Sequence, residues 1–394
     1  MHISLRTALA AALLPLAFGA AAQPRKPVKN SPKTAARPSA SAKESVPVRG
    51  LRPERVAAFA DQRVTGVAVS KTGRLFVNFP YWEDGHRESV LEVVPGQAPR
   101  PYPDARWNEA VPAGTLPDAK TAATRFLCVQ SVVVDDLDRL WVLDPASPKF
   151  AGVLPGGAKL VQFDLATNQP ARTIVFSGRV APPQSYLNDV RFDTKNNAAY
   201  LTDSGLGALV VLDLTTGRAR RVLENQPGTR LDPTFSLVVN GHELRDEKGE
   251  KPSFNADGLE LSADGRTLYF QSLMGRRIYR IGTEFLRDST LSAPALAAKV
   301  EEWAEVGASD GYGRDRAGNL YTSGIEDNTI RQLSASGLPT VVAQGPEISW
   351  PDSFATGPDG SLYFTTSQIQ TQAKFNKGQD TRTQPYGLWR LKLK

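Results

Sequence analysis

Cysteine, histidine and methionine are nearly missing from this chain of 394 residues, which holds one Cys, three His and two Met. A lone Cys128 excludes an intrachain disulfide and any cysteine metal cluster. Histidine stands only at positions 2, 86 and 242. No H-E-x-x-H pattern occurs, so a zinc-hydrolase reading has no ligands to stand on. His86, in a loop, is the one histidine placed for proton transfer, though a solvated loop residue is the plainer reading. The stretch "VLPGGAKL" at 153–160 lacks the Lys-Ser/Thr of a phosphate loop and reads as a turn, and no G-x-S-x-G nucleophile elbow is present.

Long apolar runs are missing as well. The run from Ala8 is broken by Pro15 and falls short of the roughly 20 residues a membrane span needs. Arg6 precedes it and Ala20-Ala21-Ala22 follows, so residues 1–22 read as a signal peptide cleaved after Ala22, and the protein is expected to be secreted or periplasmic. Without a disulfide, such an exported chain relies on its core for stability. Residues 23–51, rich in Pro, Lys, Ser and Ala, read as a disordered basic linker.

Excess charge is confined to that leader. The whole chain is +6, with 47 Lys and Arg against 41 Asp and Glu, but residues 1–50 hold eight of the basic residues and one of the acidic ones. The remainder carries 39 basic and 40 acidic residues. A nucleic-acid partner therefore has no electrostatic footing. A monomer with a small-molecule ligand is expected.

What is present in quantity is one repeated pattern. "TGVAVSKTGRLFVNF" from Thr65 is followed by "QSVVVDDLDRLWVLD" from Gln130 and "NDVRFDTKNNAAYLTD" from Asn188. Then come "DGLELSADGRTLYFQS" from Asp257, "DGYGRDRAGNLYTSG" from Asp310 and "DSFATGPDGSLYFTT" from Asp352. Each is a polar start, an alternating strand, a tight turn and a second strand, and successive copies are 42 to 69 residues apart. Six such units predict an all-β, six-bladed β-propeller of four-stranded antiparallel blades over 52–394. The last strand, from Tyr386, is only the third of its blade, so "ERVAAFAD" near Glu54 is expected to supply the fourth and close the ring.

In that architecture the first strand of each blade lines the central channel, and the six polar starts converge at one mouth. Three carboxylates and several amides there invite a cation, either a calcium-like metal with oxygen ligands or a protonated amine. The plainer reading is that these side chains cap backbone groups at strand starts. Gln130, Asn188, Asp257, Asp310 and Asp352, with Trp350 at the rim, are the ligand-binding candidates. Asp257 and Asp352 are the candidates for acid–base catalysis, while Asn188 and Asp257 are those for a metal. Tyr81, Trp82 and Tyr186 also lie near the mouth and add aromatic surface for an amine.

The segments "FLCVQSVVVDDLDRLWVLD", "NADGLELSADGRTLYFQSL" and "SWPDSFATGPDGSLYFTTSQI" resemble the yellow / major royal jelly protein family, over about Glu54 to Leu393. The resemblance implies a secreted six-bladed propeller that binds an aromatic amine or converts a dopachrome-like compound, with no cofactor required. More distantly the chain is similar to gluconolactonase-type propellers, in which a Glu, two amides and an Asp hold a divalent metal. That likeness implies the alternative of a metal-dependent lactonase with calcium or another divalent cation in the channel. Asn188 and Asp257 match two of those ligands, whereas Thr65 stands in the place of the Glu and Gln130 in that of the other amide.

Overall fold

A computed structural model describes residues 46–111 and 115–394. The expected signal peptide and the linker up to residue 45 lie outside the described residues. Six four-stranded antiparallel sheets follow one another, as the repeat predicts. Their inner strands are Val67–Val69, Ser131–Val134, Leu187–Asp193, Ala256–Leu261, Tyr312–Arg314 and Pro351–Thr356. Each packs beside the inner strand of the next blade, with blade six returning to blade one.

Alternation explains the blades. Apolar side chains on both faces of each sheet interdigitate with the neighbouring blades, giving six apolar interfaces around the ring. Between blades one and two, Phe76, Val132, Leu140 and Phe163 are buried together. Between two and three, Trp141, Leu160, Val190 and Leu201 pack, and comparable clusters fill the other four. Each such Phe or Leu contributes roughly 1.5–3 kcal/mol on burial.

Closure is by an N-terminal strand. Glu54–Phe59 pairs antiparallel with Tyr386–Leu391, from Glu54 opposite Arg390 to Phe59 opposite Tyr386. The last residues assigned to the linker from sequence are not free of the domain. Val48 bridges Val341 in parallel, and the amides of Arg49 and Leu51 donate to Val341 O and Val342 O at 2.8 Å. This segment covers the outer edge of blade five, where unpaired backbone groups would otherwise face water. Among the described residues no helix is long and apolar enough to cross a membrane.

Candidate functional site

Three of the inner strands break register where their polar residues stand. The pairing shifts between Leu187 and Val190, between Ala256 and Leu259, and between Pro351 and Phe354. Bulges of this kind re-aim side chains, here at Asn188-Asp189, Asp257-Gly258 and Asp352-Ser353. Hydroxyls on the second strands take up amides at these starts. Thr202 Oγ1 accepts from Asp189 N at 3.1 Å, Ser323 Oγ from Asp310 N at 2.7 Å and Thr365 Oγ1 from Ser353 N at 3.2 Å. Two of these hydroxyls also donate across the blade boundary, Thr202 to Asp257 O at 3.0 Å and Thr365 to Thr65 O. A Cβ at Gly258 would lie 2.6 Å from Asp310 O, and one at Gly311 would run into Asp352 O. Both glycines thus permit inner strands to approach closely.

Second-strand acids fix the approach to the mouth. Asp144 accepts from the amides of Leu127 and Cys128, and Asp203 accepts from Tyr186 N. Each anchors the turn just ahead of Gln130 or Asn188. Asp144 is balanced by Lys159 at 2.7 Å, both side chains fully buried, and Asp203 by Arg221 at 2.6 Å.

The result is a compact chamber of acid and amide groups. Asn188 Nδ2 donates to Asp257 Oδ1 at 2.6 Å, and the Asp310 carboxyl is near enough to Asp257 to raise its pKa. Trp350 Nε1 donates to Asp310 Oδ2 at 2.6 Å. Gln130 Oε1 accepts from Tyr186 Oη at 2.9 Å, and that oxygen accepts from Trp82 Nε1 at 2.6 Å. Asp257 and Asp352 are each 5% exposed and Asp310 is 6% exposed. Burial pushes Asp310 up to about 7, against the opposing effect of the Trp350 hydrogen bond. It holds Asp257 and Asp352 well above the usual carboxylate range, and the charges of Asp310 and Asp189 add to the rise. Near neutral pH the chamber therefore retains protons, so donor and acceptor carboxyls stand side by side.

Trp350 differs from its expected place as an open rim aromatic. It is fully buried, at a φ of 53°, and meets the site through its indole N–H. Its ring belongs to an apolar roof with Phe235, Leu237, Val239, Met274 and Ile369. Much of that roof comes from the long connection between blades three and four, which carries the short hairpin Val238–Val239 and His242–Glu243. Thr65 is fully buried and its hydroxyl accepts from Asn78 Nδ2 at 2.9 Å. His86 stacks on Tyr81 and shares a 3.0 Å hydrogen bond with Ser89. Burial lowers its pKa to about 4, and none of its hydrogen bonds reaches the aspartates.

Sequence reasoning missed a second charged layer. Asp189 accepts from Ser131 Oγ at 3.0 Å, and burial raises its pKa. Arg191 pairs with Glu260 at 3.0 Å and donates to Tyr312 O at 2.8 Å, spanning the inner strands of blades three, four and five. Asp189, Arg191 and Glu260, with Arg314, line a cavity of about 190 Å³ bordered by the far ends of the inner strands. The signal was parity: Val190 and Phe192 pack between blades, which turns 189 and 191 toward the channel.

A lactonase-type metal does not fit this donor set. Thr65 is turned to Asn78, Gln130 Oε1 is taken by Tyr186, and Asp257 Oδ1 by Asn188. Among the described residues no three His, Cys, Asp or Glu side chains form a group able to hold a metal ion.

Comparisons with known proteins agree with the repeat and the fold. A profile described as "Major royal jelly protein" matches residues 127–380. "Protein yellow" of Drosophila pseudoobscura pseudoobscura is 27% identical over 246 residues, 59% of this chain and 42% of that protein. The Drosophila melanogaster protein gives 27% over 246 residues, with 59% and 43% covered. The match thus spans under half the length of these curated relatives. Among solved structures, a luciferin-regenerating enzyme superposes with a TM-score of 0.54 at 14% identity, covering 87% of this chain and 95% of that one. Regucalcin of Agrobacterium tumefaciens, titled a calcium-binding protein, gives 0.52 at 13%, covering 88% and 95%. A gluconolactonase of Xanthomonas campestris gives 0.50 at 17%, covering 90% and 98%. At these identities the structural likeness concerns the propeller fold alone. By the extent of the profile match, the chain belongs to the major royal jelly protein family.

Proposed function

We propose that this propeller is an exported small-molecule protein whose chamber binds a protonated aromatic amine or a dopachrome-like compound. The observation that carries the reading is the set Asp257, Asp310 and Asp352, three buried carboxyls with raised pKa values beneath an apolar roof. A cation entering such a set offsets the burial and the mutual repulsion that keep the groups protonated, while the roof supplies apolar contact for a ring. The same groups suit an isomerisation, in which one carboxyl gives a proton to the ligand while a neighbouring carboxylate removes another. Neither role needs a cofactor.

Calorimetric titration of chelator-treated protein with dopamine or serotonin tests the reading. Saturable binding is expected, weakened at least tenfold by Asp257→Asn and unaffected by added calcium. Tight calcium binding with calcium-dependent lactone cleavage would overturn it. Export is tested separately by the mass of the mature protein, expected to begin at or near Gln23.

A further inference from the structure

Away from the channel axis lies a second cleft, of about 640 Å³. Its walls are the roof hairpin, the segment leading into the inner strand of blade six, and the long connection before Tyr386–Leu391, with Trp389 of that strand exposed to it. The volume is in the range of small-molecule sites. Half of its lining residues carry amides or hydroxyls. The chemistry is thus unlike that of the chamber, where carboxyls dominate.

Several of these groups are held in place by the connection itself. Gln368 Nε2 donates to Gln384 O at 3.2 Å and to Pro385 O at 3.1 Å. Asn376 Nδ2 donates to Gln370 O at 2.8 Å and to Gln372 O at 2.9 Å. Trp389 Nε1 donates to Thr366 Oγ1 at 3.1 Å, which fixes the plane of the indole. Gln370 is the exception. Its Nε2 donates to Ser349 Oγ at 2.7 Å, while its Oε1 is buried with no partner. That oxygen has no accessible surface, so a ligand in the cleft meets the other lining amides and hydroxyls instead.

We propose that this cleft is a saccharide site, taking a neutral oligosaccharide of about two rings. Fixed amides and hydroxyls suit a ligand that offers many hydroxyls, and an oriented indole suits the apolar face of a sugar ring. Charge disfavours the other small-molecule classes. A phosphorylated ligand would meet one arginine, Arg55, against Glu243 and Glu347. For an amine, Glu243 is solvent-exposed and already paired with Arg245 at 2.9 Å, and the remaining carboxylate, Glu347, is offset by Arg55 in the same lining.

Calorimetry of the full chain with cellobiose, maltose and N,N′-diacetylchitobiose, each to about 20 mM, tests the site; millimolar dissociation constants fall within reach. At least one disaccharide is expected to bind saturably. Gln384→Ala, at an exposed residue of the cleft wall, should weaken that binding at least tenfold. So should Thr383→Trp, which fills the cleft from an exposed position and leaves the core untouched, provided its circular dichroism and melting match the parent. Asp257→Asn should leave disaccharide binding unchanged, which separates this site from the amine chamber. Failure of all three sugars to bind, or parental affinity in both cleft variants, would overturn the proposal. So would loss of dopamine binding in Thr383→Trp, because the cleft would then belong to the amine.

Discussion

An aspartate that ordinarily titrates near 3.8 and does so at about 7 in this fold reverses the usual link between carboxylates and stability. Between those values the native state binds more protons than the unfolded chain. The stability Asp310 contributes is therefore full below about pH 4 and is lost as pH rises through 7. Asp257 and Asp352, also raised, act with the same sign. Asp310→Asn keeps an acceptor for the Trp350 indole and removes the charge. It should melt about 2–5 °C above the parent at pH 8, and the difference should vanish near pH 4. Calorimetric melting across that range checks both the size and the sign. Trp350 is coupled to the same titration, since its N–H favours the charged carboxylate. A hydrogen bond to a charged group is worth about 1.5–3 kcal/mol, so Trp350→Phe should raise the Asp310 midpoint by about one to two units. Carboxyl carbon-13 NMR of Asp-labelled protein reads that shift without any ligand.

At the level of elements, the inner strands are regular where they pack between blades and irregular where they meet the channel. Thr365 ties two blades together at such a place: its hydroxyl accepts from Ser353 N and donates to Thr65 O. Thr365→Val keeps the shape but strands both backbone groups, and should cost roughly 2–4 kcal/mol. Thr365→Ser should recover most of that loss, as denaturant unfolding of the two variants would show. The strands themselves were legible in the sequence, because period-2 patterning and tight turns recur from Thr65 to Asp352. So was the meeting of Asn188, Asp257 and Asp310, each of which begins a repeat. The bulges were not, since a register shift leaves no mark in composition. Simple alternation turns Asp189 toward the channel with Arg191, but it could not show that Asn188, one residue away, is brought there too. The roof was equally hidden. Phe235 and Leu237 stand in a polar stretch outside the repeat, and only packing against Met274 and Trp350 reveals their role. Trp350 was legible as a site residue by position, but its left-handed backbone, rare for so bulky a side chain, was not.

For the whole molecule, closure decides whether six marginal sheets become one stable body. Each blade buries one face against its predecessor and the other against its successor, so an open ring leaves two apolar faces exposed. Glu54–Phe59 prevents this by completing blade six. Phe59 packs with Phe79 of blade one, ring centroids 5.1 Å apart, and with Val64, Tyr386 and Leu388. Arg390 and Lys392 also hold Glu54, although exposed pairs of this kind are screened by water and contribute little. The apolar contacts and the strand's ladder are therefore expected to dominate. A chain beginning at Val46 retains every one of these contacts and should melt in a single transition, within about 2 °C of the full chain. A chain beginning at Asp61 loses the strand and the buried face of Phe59, a burial worth roughly 1.5–3 kcal/mol by itself. It should melt at least 10 °C lower and become susceptible to proteolysis within the Tyr386–Leu391 strand, now a bare edge. Restoring residues 54–60 as a separate peptide should recover protection in proportion to peptide concentration, because the edge it fills is the one left open. If the shortened chain melted like the longer one, closure would have to come from the inter-blade clusters alone, and the strand would be only an outer cover.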